Sequence, residues 1–92
     1  MDEKTIERYL RNEVKKLGGI AFKFVSPGNA GVPDRIVLLP GGTVKFVELK
    51  KPGGKTSPIQ DLQISKMRKL GNDVRIIDSL EKVDALIGEM TT

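Results

Sequence analysis

Asp34, Glu48 and Lys50 are the residues of this chain whose types and spacing could do chemistry. They flank the tripeptide Pro40-Gly41-Gly42, which reads as a hairpin loop with glycine available for positive φ. A three-residue loop pairs Leu39 with Thr43, Leu38 with Val44 and Ile36 with Phe46. Asp34 then lies directly opposite Glu48. Side chains alternate along a strand, so Asp34, Ile36, Leu38, Val44, Phe46, Glu48 and Lys50 share one face. Opposed residues hold their Cβ atoms about 4.5–5.5 Å apart. At about 5 Å and an effective dielectric near 20, two carboxylates repel by about 3 kcal/mol. Such a pair at the end of an apolar face calls for a cation. Oxygen ligands select magnesium, manganese or calcium. A two-residue loop would put the two acids on opposite faces and remove this argument.

Lys50 stands one pleat beyond Glu48, about 6.5–7 Å along the strand. It can serve the same reacting group as a cation. The chain has no His and no Cys. That excludes disulfides, the usual zinc sites, and Ser–His or Cys–His catalysis. A base must then be a carboxylate, a lysine or a metal-bound water, and metal-bound hydroxide is the efficient choice near neutral pH. The plainer reading makes Asp34 a strand start after a turn, and Glu48 and Lys50 exposed strand ends. It fits any one of the three better than all three together.

The elements that must position these residues are legible from periodicity. Residues 3–17 carry Ile6, Tyr9, Leu10, Val14 and Leu17 on one helical stripe, stopped by Gly18-Gly19. Ile20–Val25 reads as a strand and Ser26–Pro33 as a loop. Asp34–Leu39 and Thr43–Lys50 are the hairpin strands. Lys51–Ser57 is a loop, with Ser57 capping a helix that starts at Pro58 and runs to about Leu70. Ile59, Leu62, Ile64, Met67 and Leu70 are expected mostly on one side of it. Val74–Ile77 is a fourth strand, and Ser79 caps a last helix with Leu80, Val83, Leu86 and Ile87. The order is α-β-β-β-α-β-α, an α/β fold with a mixed sheet. Ninety-two residues suffice for one small domain, 1–92, whose thin core a dimer would help.

Charge points to a polyanion. Residues 15–75 hold 12 Lys or Arg against four acids, so the middle is +8 and the ends are −4. Lys23, Arg35, Lys51 and Lys55 flank the acidic pair and are candidate phosphate contacts, which position nucleic acid without reading its sequence. Lys66, Arg68 and Lys69 read as the wet side of a helix. Tyr9, Phe22, Phe24 and Phe46 fit core positions and offer no base-stacking platform of the kind RNA readers use. The longest apolar run, Ile36–Leu39, is far short of a membrane span, and the N-terminus is no signal peptide. A soluble cytoplasmic protein is expected. Gly54-Lys55-Thr56 resembles the end of a phosphate-binding loop, but the Gly required five residues earlier is Leu49, so no nucleotide cofactor is expected.

Gly31-Val32-Pro33-Asp34-Arg35-Ile36 followed by Phe46-Val47-Glu48-Leu49-Lys50 resembles the PD-(D/E)xK nuclease signature. With Gly18-Gly19, Pro27-Gly28, the Pro-Gly-Gly turn and Ser57-Pro58-Ile59-Gln60, the pattern is similar to the small stand-alone VRR-NUC branch found in phages and bacteria. The likeness runs from about residue 3 to residue 88. It implies a restriction-endonuclease-like core and metal-dependent hydrolysis of DNA phosphodiesters. On that resemblance Asp34, Glu48 and the Leu49 carbonyl hold Mg2+ or Mn2+. Lys50 orients the water and stabilises the charged transition state. Gln60 helps place the water or a phosphate. The family also places a glutamate of the first helix near the metal. Glu3 and Glu7 share a face, Glu13 points nearer the apolar stripe, and spacing does not choose between Glu3 and Glu7.

A chain this small has little surface for sequence readout. Structure-selective cutting, for example of four-way (Holliday) junctions, is the expected activity, with a role in DNA repair. Symmetric cutting of such a substrate needs two sites and hence a homodimer. The rival from another class is a catalytically inactive DNA-binding or accessory module that keeps the nuclease fold. A second rival hydrolyses a different phosphodiester, such as RNA.

Overall fold

The computed structural model describes residues 1–91. Its elements are α1 (Glu3–Lys16), β1 (Ile20–Lys23), β2 (Arg35–Leu39), β3 (Thr43–Leu49), α2 (Pro58–Lys69), β4 (Val74–Ile77) and α3 (Leu80–Met90). The expected order holds, and each boundary moves by no more than two residues. Four strands form one sheet in the order β1-β2-β3-β4. The first two pairings are antiparallel and β3–β4 is parallel. Leu39 pairs with Thr43, Leu38 with Val44 and Ile36 with Phe46, as the three-residue loop requires. Gly41 and Gly42 both take positive φ, 88° and 84°, where a side chain would be strained.

Helices α1 and α3 cover one face of the sheet. Ile6, Leu10 and Val14 of α1 and Val83 and Leu86 of α3 meet Val37, Val47, Leu49 and Ile77 there, all buried. Tyr9 Oη donates to Asp84 Oδ1 at 2.5 Å, tying α1 to α3. The core is thin, so single truncations weigh heavily. Leu10→Ala is expected to cost about 2–5 kcal/mol of unfolding free energy, read from urea denaturation.

The other face is only partly covered. α2 lies on it beside β4, with Ile64 buried and the Arg68 guanidinium donating to the Val74 carbonyl. The five apolar residues of α2, expected mostly on one side, do not make one buried stripe. Ile59, Leu62 and Leu70 are exposed, and only Ile64 is buried. At 100° per residue these five positions spread over about 200° of the helix surface, too wide for one stripe. The even-numbered hairpin residues therefore do not form the main core. Val44 is 44% exposed, and Phe22, expected inside, is 52% exposed beside Ile20 at 52%. No helix among the described residues is long and apolar enough to cross a membrane.

Candidate active site

The β2–β3 register, continued by one residue, sets Asp34 opposite Glu48 at the open end of the hairpin. The Asp34 charge acts on Glu48 there. Asp34 Oδ2 accepts from the Leu49 amide at 2.9 Å, and the Asp34 carbonyl accepts from the Phe24 amide at 2.8 Å. The loop before Asp34 is thus held by both neighbouring strands. On β3, the Lys50 amide donates to the Ile77 carbonyl at 3.0 Å, which fixes the strand end against β4. In a strand, the N–H and C=O of one residue point to the same neighbour. The Leu49 amide faces Asp34, so its carbonyl is presented on that side too.

Glu48 is 2% exposed, the single buried charged side chain among the described residues. Its Oε2 accepts from Gln60 Nε2 at 3.1 Å and lies 3.4 Å from Lys50 Nζ. Its Oε1 is buried and has no hydrogen-bond partner. Burial first, and then the Asp34 carboxylate, push the Glu48 carboxyl up to about 7 against the opposing pull of Lys50. A buried, unpartnered carboxylate oxygen is costly, and such groups are normally satisfied. An Asp, a Glu and a main-chain carbonyl are the donors that hard divalent cations take. The residues present therefore fit Mg2+ or Mn2+.

Gln60 has two tasks. Ser57 Oγ accepts from the Gln60 amide at 3.3 Å, and Gln60 Oε1 accepts from the Ser57 amide at 2.9 Å. This capping box holds the side chain so that its NH2 faces Glu48. The spacing Ser57-x-x-Gln60 carries that signal in the sequence, but the box was not part of the expectation for Gln60. The α2 N-terminus is seated in turn by the 26–33 loop. Gln63 Nε2 donates to the Ala30 carbonyl at 3.1 Å.

The first-helix glutamates separate. Glu7 Oε2 accepts from Arg35 Nε at 2.8 Å, and Arg35 Nη1 also donates to the Ala21 carbonyl. Strand alternation puts Arg35 on the core face with Val37, opposite the acidic pair. Arg35 was expected among the phosphate contacts, but the structure engages it in tying α1 to β1. Glu3 stands at the start of α1, and its charge adds to the upward push on Glu48. Among the described residues no three His, Cys, Asp or Glu side chains are grouped to hold one ion. Lys51 and Lys55 are exposed on the loop after β3, while Lys23 faces the α1 side of edge strand β1.

No family model matches the chain. A curated relative is 52% identical over 77 residues, which cover 84% of this chain and 83% of its own length. It is described as "Putative nuclease p44" of Acyrthosiphon pisum secondary endosymbiont phage 1. A solved structure described as a VRR_NUC domain superposes with a TM-score of 0.88 and 34% identity, covering 94% of both chains. With this likeness along nearly its whole length, the chain belongs to the VRR_NUC family.

Proposed function

We propose that this protein is a divalent-metal-dependent DNA endonuclease. The observation that carries the reading is the buried Glu48 carboxylate, opposed by Asp34 and left with one oxygen unpartnered. A relative described as a nuclease supports the same class. Asp34, Glu48 and the Leu49 carbonyl would hold Mg2+ or Mn2+. The bound ion supplies Lewis acidity and lowers the pKa of water. Lys50 lies beside Glu48 and presents its ammonium where a phosphodiester gains negative charge. Gln60 holds Glu48 in place through its NH2 group. Lys51 and Lys55 contact phosphates. The protein acts in the cytoplasm of a bacterial host.

The proposed substrate is branched DNA such as a four-way junction, cut by a homodimer. The sheet face bearing Ile20, Phe22 and Val44 is exposed in the single chain, and a second copy would cover it. Phe22→Glu is expected to shift the sedimentation mass from dimer to monomer. Substrate choice is tested with labelled four-way junction, flap and linear duplex incubated with Mg2+. Preferential paired cuts in the junction support the reading. Equal cutting of linear duplex contradicts the structure preference. Tight binding without cutting in Mg2+ or Mn2+ supports an inactive binding module instead.

A further inference from the structure

Lys50, Lys51 and Lys55 follow one another closely at the end of β3. Lys51 and Lys55 are exposed, whereas the Lys50 side chain is 19% exposed and turned toward Glu48. Its Nζ stands 3.4 Å from Glu48 Oε2. A charge-assisted hydrogen bond is normally about 2.7–2.9 Å long, so this pair alone does not pin the amine. A lysine stem is flexible and keeps its rotamer freedom unless something packs against it. The main chain of Lys50 is fixed, because its amide donates to the Ile77 carbonyl at 3.0 Å. The support for its side chain comes from the segment that follows.

Lys51-Pro52-Gly53-Gly54 closes a tight turn, with the Gly54 amide donating to the Lys51 carbonyl at 2.8 Å. Pro52 presets the second position and Gly53 takes φ +75° at the third, as a type II turn requires. The turn folds Gly54 back onto the Lys50 stem. A Cβ on Gly54 would stand 3.3 Å from Lys50 Cβ and 2.9 Å from the Lys51 carbonyl oxygen. Gly54 is not among the glycines with positive φ, so the close approach, not the backbone angle, demands glycine there. The turn is itself tethered. The Gly53 amide donates to Asp78 Oδ2 at 3.4 Å, and Lys82 Nζ pairs with Asp78 Oδ1 at 2.9 Å. Asp78 directly follows Ile77, so one chain end holds both the Lys50 main chain and the turn that packs on its side chain. Farther along, Thr56 Oγ1 donates to Asp61 of α2, which ties down the other end of the loop.

We propose that Gly54 and Asp78 are positioning residues for Lys50, which set its ammonium beside Glu48 through the Lys51–Gly54 turn. Their effect on cutting rests on the nuclease reading, and their effect on Lys50 does not. The test therefore has two parts. Acetylation of the full chain in EDTA, mapped by mass spectrometry, measures how readily each lysine amine is reached. Gly54→Ala and Asp78→Ala are expected to speed labelling of Lys50 severalfold relative to Lys69, an exposed lysine of α2. Asp78→Asn keeps an oxygen that can accept from the Gly53 amide and is expected to keep the wild-type ratio. Circular dichroism shows which variants fold, and Asp78→Ala carries the test if Gly54→Ala does not. Unchanged Lys50 labelling in the folded alanine variants overturns the inference. So does labelling as fast in Asp78→Asn as in Asp78→Ala.

Single-turnover and steady-state cleavage of four-way junction and linear duplex in Mg2+ form the second part. The alanine variants are expected to lower kcat about 10–100-fold with KM unchanged, as for other groups that orient a functional side chain. In a Lys50→Gln background they are expected to cost nothing further, because residues that act as a unit are not additive. Equal losses in both backgrounds overturn the inference, since the turn then acts other than through Lys50. Wild type that shows the expected labelling but cuts in neither Mg2+ nor Mn2+ sinks the nuclease reading and upholds the positioning of Lys50.

Discussion

Glu48→Gln is expected to abolish cutting while making the metal-free protein more stable at pH 8. The two effects have one cause. The folded chain holds the Glu48 carboxyl at about 7, above its ordinary 4.5, because it is buried and faces Asp34. A group whose folded pKa is raised favours folding most below its unfolded pKa, and that contribution is lost as pH rises through the folded pKa. Metal-free wild type should therefore lose stability between about pH 4.5 and pH 7, by about 2–3 kcal/mol. Glutamine carries no charge, so the variant should show a flatter profile and a higher Tm at pH 8. Mg2+ or Mn2+ should raise the wild-type Tm at pH 8 and leave the variant nearly unmoved. Cutting should fall by at least about a thousandfold, because a principal metal ligand is lost. Thermal unfolding across pH, with and without metal, checks the stability half. A variant less stable than wild type at pH 8 would contradict the account of Glu48 as a carboxylate held charged for function.

Gly31→Ala should damage the site from a distance. Gly31 has φ +88°, a region that penalises any side chain. A Cβ there would stand 2.8 Å from the Ile59 carbonyl oxygen and 3.1 Å from the Gln60 nitrogen. Both are backbone atoms of the first turn of α2, so neither can swing aside. The loop and the helix end must part, and Gln60 moves with the helix. The expected cost is about 2–4 kcal/mol of stability, from the strained φ and the clash together. Cutting by the molecules that remain folded should drop about 10–100-fold, as for other groups that orient a metal ligand. Denaturant titration and single-turnover cleavage at low temperature measure the two. Wild-type activity in a folded Gly31→Ala protein would show that Gln60 does not hold Glu48.

Much of this was legible in the sequence, and the reasons differ by residue. The Asp34–Glu48 opposition followed from loop length and strand alternation alone, because a short loop fixes register. Element order followed from periodicity and from Gly and Ser stops and caps. Which sheet face is the core was not legible. Ile36, Leu38, Val44 and Phe46 are as apolar as Val37, Val47 and Leu49, so hydropathy could not rank the two faces. The helices decide it, since α1 and α3 both pack on the odd-numbered side. That choice exposes Phe22 and leaves Glu48 under α2 alone. The choice between Glu3 and Glu7 was open for a related reason. Glu7 finds Arg35 only because β1 and β2 carry that guanidinium beneath α1.

The proposed function requires Asp34 and Glu48 to act together as a metal-dependent nuclease centre. The most direct measurement is cleavage of labelled four-way junction and linear duplex by purified wild type, Asp34→Ala and Glu48→Gln, each in Mg2+, Mn2+ and EDTA. Wild type is expected to cut in either metal and not in EDTA, and both variants are expected to stay at background. Cutting that survives EDTA, or that persists in both folded variants, would contradict it.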